Sequence, residues 1–233
     1  MLFFPACNLR CPWCHNRELV LGEDPDSKRA EDLVEIEEAL AHLRKRRSVL
    51  GGAVLSGGEP CVWEGLPELI GEIRKIARPD DDAAFPVKLD TNGTNPAMLE
   101  KLLAREETKP DYIALDLKIA PRRYAELSAG GKNSTSSGLA EALIKSAKLI
   151  RESGITHEYR TLALPGAFIT EKDIEELAPL TDDSPWYIRA FRGGNCLDPA
   201  WNGMEETEAV AKALSESLVK KAQELGKTNC RYY

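Results

Sequence analysis

Short β-like runs alternate with helical apolar stripes along this chain, and the rhythm restricts its possible folds more than any other feature. The β-like runs are Ala53-Val54-Leu55, Val87-Lys88-Leu89, Tyr112-Ile113-Ala114-Leu115, Tyr159 to Leu164 and Trp186 to Phe191. Between them, apolar residues recur at gaps of three and four. One stripe is Leu33, Ile36, Leu40 and Leu43, within Ser27 to Leu50, where Ser27 and Asp32 offer oxygens near a helix start. Others are Leu66, Leu69, Ile70, Ile73 and Ile76; Met98, Leu99, Leu102 and Leu103 behind Asn95-Pro96; and Leu139, Leu143, Ile144 and Ile150. Thr170 with Asp173 opens a helix over Ile174 to Ala178, and about 204–226 reads as a closing helix. This alternation predicts βαβ units and a parallel sheet, wound into a barrel or left open.

The rhythm resumes unchanged after the one low-complexity stretch, Ser128 to Gly138, which is expected to be a mobile loop inside one domain spanning 1–233. Asp80-Asp81-Asp82 reads as a solvated turn. A 42% apolar content is too high for a disordered chain, and 233 residues can bury a core without staples. The charge balance of 31 basic against 38 acidic side chains offers no electrostatic footprint for nucleic acid, and no apolar run is long enough to span a membrane. Met1 to Cys7 lacks the basic start of a signal peptide, so a cytoplasmic location is expected.

Of six cysteines, Cys7, Cys11 and Cys14 cluster, while Cys61, Cys196 and Cys230 lie far apart. In a reducing compartment such a cluster points to metal before disulfide. A zinc site would need a fourth ligand, and His15 is adjacent to Cys14, where chain geometry makes tetrahedral closure awkward. Cys11-Pro12-Trp13-Cys14-His15 also fits a haem attachment as written, although that chemistry goes with export. As an iron–sulfur site, three thiolates would hold three irons of a 4Fe-4S cube and leave the fourth open to a substrate.

Ser56-Gly57-Gly58-Glu59-Pro60 follows a β-like run directly, so a glycine pair at a strand end is either a plain turn or a place where backbone approaches a ligand. Two strands carry charges that an interior strand avoids. Asp116 and Lys118 are two apart and share a face, as do Lys88 and Asp90. In strands covered by helices such side chains need partners, which a polar ligand or ion would supply. Asn92-Gly93 reads as a turn.

Taken together, Cys7-x-x-x-Cys11-x-Trp13-Cys14-His15-Asn16, Gly57-Gly58-Glu59-Pro60, Asp90-Thr91-Asn92-Gly93 and Asp116-Leu117-Lys118 resemble the radical S-adenosylmethionine (radical SAM) enzymes. Within them the chain is most similar to activases of glycyl radical enzymes, chiefly those serving anaerobic ribonucleoside-triphosphate reductase and pyruvate formate-lyase. The resemblance runs from about Leu2 to Asp198. It implies a partial (β/α)6 TIM-like barrel, with a cluster loop at 5–17 near the strand ends. It further implies that Cys7, Cys11 and Cys14 ligate a 4Fe-4S cluster whose open iron takes S-adenosylmethionine. Trp13 would lie against the adenine, and Gly58 and Glu59 would hold the methionyl amino group. Asp116, Leu117 and Lys118 would line the cofactor, with Lys118 near its carboxylate, while His15 and Arg160 complete the binding set. Asp90, Thr91 and Asp116 match positions that hold a monovalent cation. The implied partners are a glycyl radical enzyme, above all anaerobic ribonucleotide reductase, and a flavodoxin- or ferredoxin-type electron donor.

Two departures stand out. Only Met1 to Ala6 precede the first cysteine, so either a late start or a clipped barrel edge is expected. The family's ribose-contacting histidine is missing near the last strand, where Arg192 or Asn195 is the candidate substitute. A radical SAM enzyme acting on a small metabolite, such as a deazapurine synthase, and a non-catalytic zinc-binding interaction domain remain the alternatives.

Overall fold

In the computed structural model, which describes residues 1–20, 33–77, 84–128, 137–166, 168–204 and 208–233, the β-like runs join one parallel sheet. Its strands are β1 (Leu2–Phe4), β2 (Ala53–Gly57), β3 (Val87–Thr91), β4 (Tyr112–Asp116), β5 (Thr156–Ala163), β6 (Trp186–Ala190) and β7 (Cys230–Tyr232), side by side in sequence order. Helices α1 (Arg17–Val20), α2 (Ile36–Arg46), α3 (Leu66–Arg74), α4 (Pro96–Leu103), α5 (Ser137–Glu152), α6 (Glu171–Leu177) and α7 (Glu208–Glu224) supply the crossovers. A sheet in which every neighbour is parallel needs such a crossover after each strand and directs all strand ends to one side. β1 and β7 are the two edges, so the arc is an open part of a barrel.

Alternation sorts each strand's side chains. Leu55, Leu89, Ile113, Leu115, Tyr159 and Ile188 are fully buried under the helices. Their sequence neighbours Ser56, Asp90, Asp116, Arg160 and Arg189 project to the concave face. One hydrophobic core runs from Phe4 to Cys230. Lys88, which the alternation placed with Asp90, reaches Glu158 Oε1 at 3.0 Å, and Tyr112 donates to the other oxygen of that carboxylate at 2.8 Å. The interior charges therefore find protein partners first.

The structure adjusts several expectations. The sheet has a seventh strand beyond the six of the resemblance. Cys230-Arg231-Tyr232 has no apolar run to announce it, and its place comes from pairing with β6 and from the Tyr187 and Tyr233 rings, 5.4 Å apart. The expected helix within 27–50 begins only at Ile36. Leu40 and Leu43 are buried, but Leu33 is 57% exposed, so the stripe's first residue faces solvent. Ser27 and Asp32 lie outside the described residues, as do the Asp80–Asp82 run and most of the Ser128–Gly138 stretch. The described part of the closing helix is Glu208–Glu224, inside the expected 204–226, and Met204 is not helical. Two of the expected caps hold, whereas α2 starts after Glu35 with no side-chain cap. Asn95 Oδ1 accepts from Met98 N at 3.2 Å, and Asp173 Oδ2 accepts from Thr170 N at 2.9 Å and Thr170 Oγ1 at 2.8 Å.

The glycine pair after β2 serves the chain's own backbone. Gly57 has φ +113°, in the left-handed region, and a Cβ on Gly58 would sit 1.9 Å from Ala6 O. Gly58 N donates to Phe4 O and Glu59 N to Ala6 O, each at 2.9 Å, so the end of β2 is laced to the end of β1. Space that the sequence reading left open to a ligand is taken up at Gly58 by the start of the cysteine loop.

Two stability predictions result. Gly58→Ala should cost roughly 1–3 kcal/mol by displacing Phe4 to Ala6, read as a lower urea midpoint with unchanged slope. Asp173→Ala should cost about 1–2 kcal/mol through loss of the α6 cap. Burial opposes ionisation of Asp173, but its Thr170 and Arg123 hydrogen bonds outweigh burial and hold the carboxyl below its ordinary value. Its contribution is therefore complete above the unfolded carboxyl value near pH 4 and fades as pH falls through the lower folded one, so the cost of Asp173→Ala should shrink in acid.

Candidate active site

The cysteine loop leaves β1 through Ala6, whose φ of 65° is unusual for a residue with a side chain. Backbone hydrogen bonds fix that turn from both sides: Ala6 N donates to Leu19 O at 2.8 Å and Glu59 N to Ala6 O at 2.9 Å. Asn16 Nδ2 donates to Gly57 O at 2.8 Å and so ties the far end of the loop to β2. Behind the loop, Leu197 N donates to Cys14 O and Asp198 N to Pro12 O, each at 2.9 Å. Trp13 is buried, with its ring 5.2 Å from Phe168 and 5.4 Å from Trp201. Three cysteines on a short polar loop are thus held by backbone bonds and one aromatic cluster.

All three cysteines line a cavity of about 490 Å³ at the carboxyl ends of the strands. Trp13, His15, Gly58, Glu59, Asp90, Thr91, Asp116 and Lys118 also line it. Leu117 and Arg160 line an adjoining chamber of about 250 Å³ that shares Trp13, Asp90, Asp116 and Lys118 with the first. Every residue expected from the resemblance therefore borders one of the two spaces. Arg192 lines the larger one, whereas Asn195 is not among its lining residues.

Glu59 is 1% exposed and its carboxylate is fully engaged. Oε1 accepts from Thr91 Oγ1 at 2.7 Å and Cys61 N at 3.1 Å, and Oε2 accepts from Asn92 N at 2.6 Å. Burial pushes its carboxyl above the ordinary value, with those three donors pulling the other way. The Thr91 hydroxyl is thus engaged twice, donating to Glu59 and accepting from Gly93 N at 3.1 Å.

Those two acids meet through Arg160. Its Nε donates to Asp116 Oδ1 at 2.8 Å, and its Nη2 lies 3.3 Å from Asp90 Oδ1 without forming a hydrogen bond. Lys118 Nζ donates to Asp116 Oδ2 at 2.7 Å. Burial alone would raise the Asp116 carboxyl, but the Lys118 and Arg160 charges overcome it and hold the group down to about 2. Lys118 is held charged in turn, because attraction to Asp116 outweighs its own burial. The main chain beside it is used up: Leu117 N donates to Arg160 O at 2.8 Å, and Lys118 N donates to Tyr124 Oη at 3.1 Å.

Several lining residues escaped the sequence reading: Ser56, Asn92, Arg189, Phe191 and Tyr233. Arg189 had a signal, since the alternation that marked Lys88 and Asp90 also places Tyr187 and Arg189 on the concave face of β6. Its guanidinium lies 4.4 Å from the Tyr233 ring centre, and its buried Nε has no hydrogen-bond partner. Asn92 stood in the quoted Asp90-Thr91-Asn92-Gly93 motif without a role of its own, and it sits in the wall beside Cys7.

The donor set fits an iron–sulfur cluster. Cys7, Cys11 and Cys14 are free thiols on one cavity wall, whereas no three Cys, His, Asp or Glu side chains among the described residues are grouped to hold a single metal ion. A cube distributes its protein ligands over separate irons, which suits thiols that share a wall without meeting at a point. Burial pushes the Cys11 thiol up to about 12 and raises Cys7, with Lys118 opposing both. A bound metal reverses that, because coordination deprotonates a thiol outright. Cys61, Cys196 and Cys230 are fully buried and do not line the cavity.

A protein of Methanocaldococcus jannaschii, provisionally named a glycyl-radical enzyme activating enzyme, is 28% identical over 228 residues, covering 94% of this chain and 87% of its own. A GTP 3',8-cyclase of Pelotomaculum thermopropionicum is 30% identical over 189 residues, which are 78% of this chain and 51% of the cyclase. Among solved structures, Streptococcus suis SuiB superposes with a TM-score of 0.64 at 17% identity, covering 99% of this chain and 48% of SuiB. The chain thus spans about half the length of the cyclase and of SuiB, and the SuiB likeness speaks to fold alone. The model of the radical SAM superfamily matches residues 1–180, and the chain belongs to that superfamily.

Proposed function

We propose that this chain is an activase, which cleaves S-adenosylmethionine at a 4Fe-4S cluster and uses the resulting radical to abstract hydrogen from a glycine of a partner enzyme. The superfamily implies the cluster and S-adenosylmethionine. The observation that carries the finer reading is the match to the Methanocaldococcus relative, which runs through 94% of this chain and 87% of that one. Anaerobic ribonucleotide reductase is the partner favoured by the motif resemblance, with a flavodoxin or ferredoxin as electron donor and the cytoplasm as location. No described helix is long and apolar enough to cross a membrane.

Once bound, cluster and cofactor supply one-electron cleavage of the sulfonium to methionine and a 5′-deoxyadenosyl radical. The protein's part is position and dryness. Cys7, Cys11 and Cys14 would hold three irons, with Lys118 presenting its ammonium to the cofactor's carboxylate. Asp116 steers that ammonium, since the two lie 2.7 Å apart, and Arg160 braces Asp116 from the other side. Trp13 would pack one edge on the adenine while its rings with Phe168 and Trp201 keep water from that wall. Gly58, and Glu59 through its hold on the Asn92 backbone, shape the wall where the methionyl amino group would sit. A monovalent cation at Asp90, Thr91 and Asp116 would have to share the two carboxylates with Arg160 and the Thr91 hydroxyl with Glu59.

The GTP cyclase matches favour a second reading, a radical SAM enzyme with a small metabolite as substrate. One experiment separates the two. Anaerobically reconstituted protein with reductant and S-adenosylmethionine should form 5′-deoxyadenosine, faster and together with a protein radical signal when a glycyl radical enzyme from the same genome is present. Product that ignores every such partner and keeps step with an added metabolite would overturn the activase reading. Lys118→Met should raise the KM for S-adenosylmethionine roughly tenfold or more, the size expected for losing a hydrogen bond to a charged group.

A further inference from the structure

We propose that Asn92 sets the reduction potential of the cluster by donating a hydrogen bond from its side-chain amide to the Cys7 sulfur. The inference rests on the reading of Cys7 as a cluster ligand and adds an assignment for a residue outside the ligand set. Asn92 is 4% exposed, in the turn after β3, and its backbone is pinned because Asn92 N donates to Glu59 Oε2 at 2.6 Å.

The direction of the amide is decided by a closed ring of polar contacts. Asn92 Oδ1 accepts twice from Thr94, from its N at 2.9 Å and its Oγ1 at 2.6 Å. The Thr94 hydroxyl, having spent its hydrogen on Asn92, accepts from Asn8 Nδ2 at 2.7 Å. Asn8 must then present Oδ1 to Asn92, and Asn92 Nδ2 donates to it at 3.1 Å. Turning either amide over would set donor against donor. The second hydrogen of Asn92 Nδ2 is therefore directed at Cys7 Sγ, 3.8 Å away, a long contact that the larger sulfur atom accommodates.

Among the described residues Cys7 Sγ takes one other hydrogen bond, from Leu9 N at 3.4 Å, and no hydrogen bond reaches the sulfur of Cys11 or Cys14. The ring thus acts on one ligand of the three. An electron added to an iron–sulfur cluster is shared with its sulfurs, and an N–H dipole aimed at a sulfur stabilises that extra charge. Removing the donor should make the cluster harder to reduce.

The test is a redox titration of anaerobically reconstituted, S-adenosylmethionine-free protein followed by electron paramagnetic resonance, with iron and sulfide counted in each sample. Asn92→Ala should lower the ratio of reduced to oxidised cluster about tenfold at a fixed poise, equivalent to about 59 mV downward for one electron. Asn8→Ala is the control, since it loosens the same loop while Thr94 still holds the Asn92 amide, and it should not lower the ratio. Should Asn92→Ala fail to take up iron, Asn92→Asp keeps the shape and the Thr94 bonds but turns an oxygen toward Cys7, and its downward shift should be larger. An unchanged potential in the Asn92 variants, or an equal fall in Asn8→Ala, overturns the inference. Wild-type protein that binds no 4Fe-4S cluster overturns the underlying reading of Cys7 instead.

Discussion

The buried carboxylate of Glu59 is the joint on which the site depends. It sits where the end of β2, the turn after β3 and the start of the cysteine loop come together, and among the described residues no cation pairs with it. Three neutral donors compensate, two backbone amides and the Thr91 hydroxyl. A buried anion held only by dipoles is strict about geometry, because each missing donor costs the desolvation of a charged group. The same residue's backbone N donates to Ala6 O, so the side chain that orders the β3 turn belongs to the residue that fixes the loop's first bend. The Gly57-Gly58 pair before it lets the backbones close to that distance. Strand pairing, cysteine placement and the wall beside Cys7 are therefore coupled through one residue.

A second layer of order lies deeper in the arc. Lys118, Asp116, Arg160 and Asp90 make a chain of alternating charge across β3, β4 and β5, with Lys88, Tyr112 and Glu158 forming another below it. Breaking one member of such a chain leaves an uncompensated charge in a partly dry space, which costs far more than the intact chain contributes. The value of the arrangement here is directional. It keeps an ammonium at the strand ends while the guanidinium behind it is already spent on carboxylates, so Lys118 stands beside Arg189 among the described cations that border the cavity there.

How much of this was legible in the sequence follows from the range of the forces involved. Period-2 alternation is local, and it marked Lys88, Asp90, Asp116 and Lys118 as sharing the concave side. Capping is local too, which is why Asn95 and the Thr170–Asp173 pair were readable. The three-residue β7 carries no local signal and exists because β6 offers it an unpaired edge. The stripe beginning at Leu33 failed for the opposite reason: its period is helical, yet only Leu40 and Leu43 have something to pack against. The glycine pair was visible as a strand-end feature, but nothing local could say that the atom at Gly58 is Ala6 O, more than fifty residues earlier in the chain.

The same limit explains the asparagines. Asn16 and Asn92 stood inside quoted motifs and Asn8 carried no signal, and nothing local says what any of the three holds. What distinguishes them is long-range: Asn16 reaches Gly57 and Asn92 reaches Asn8 and Cys7. The cysteine loop has buried apolar anchors in Leu9 and Trp13, and side-chain amides add the ties that carry it to β2 and to the turn after β3. Amides suit that task because each carries both donors and an acceptor, letting a ring such as Asn8, Thr94 and Asn92 satisfy itself away from water and still leave a hydrogen for sulfur. The amides that help hold such a loop thus act between residues more than forty positions apart, beyond the reach of any local pattern.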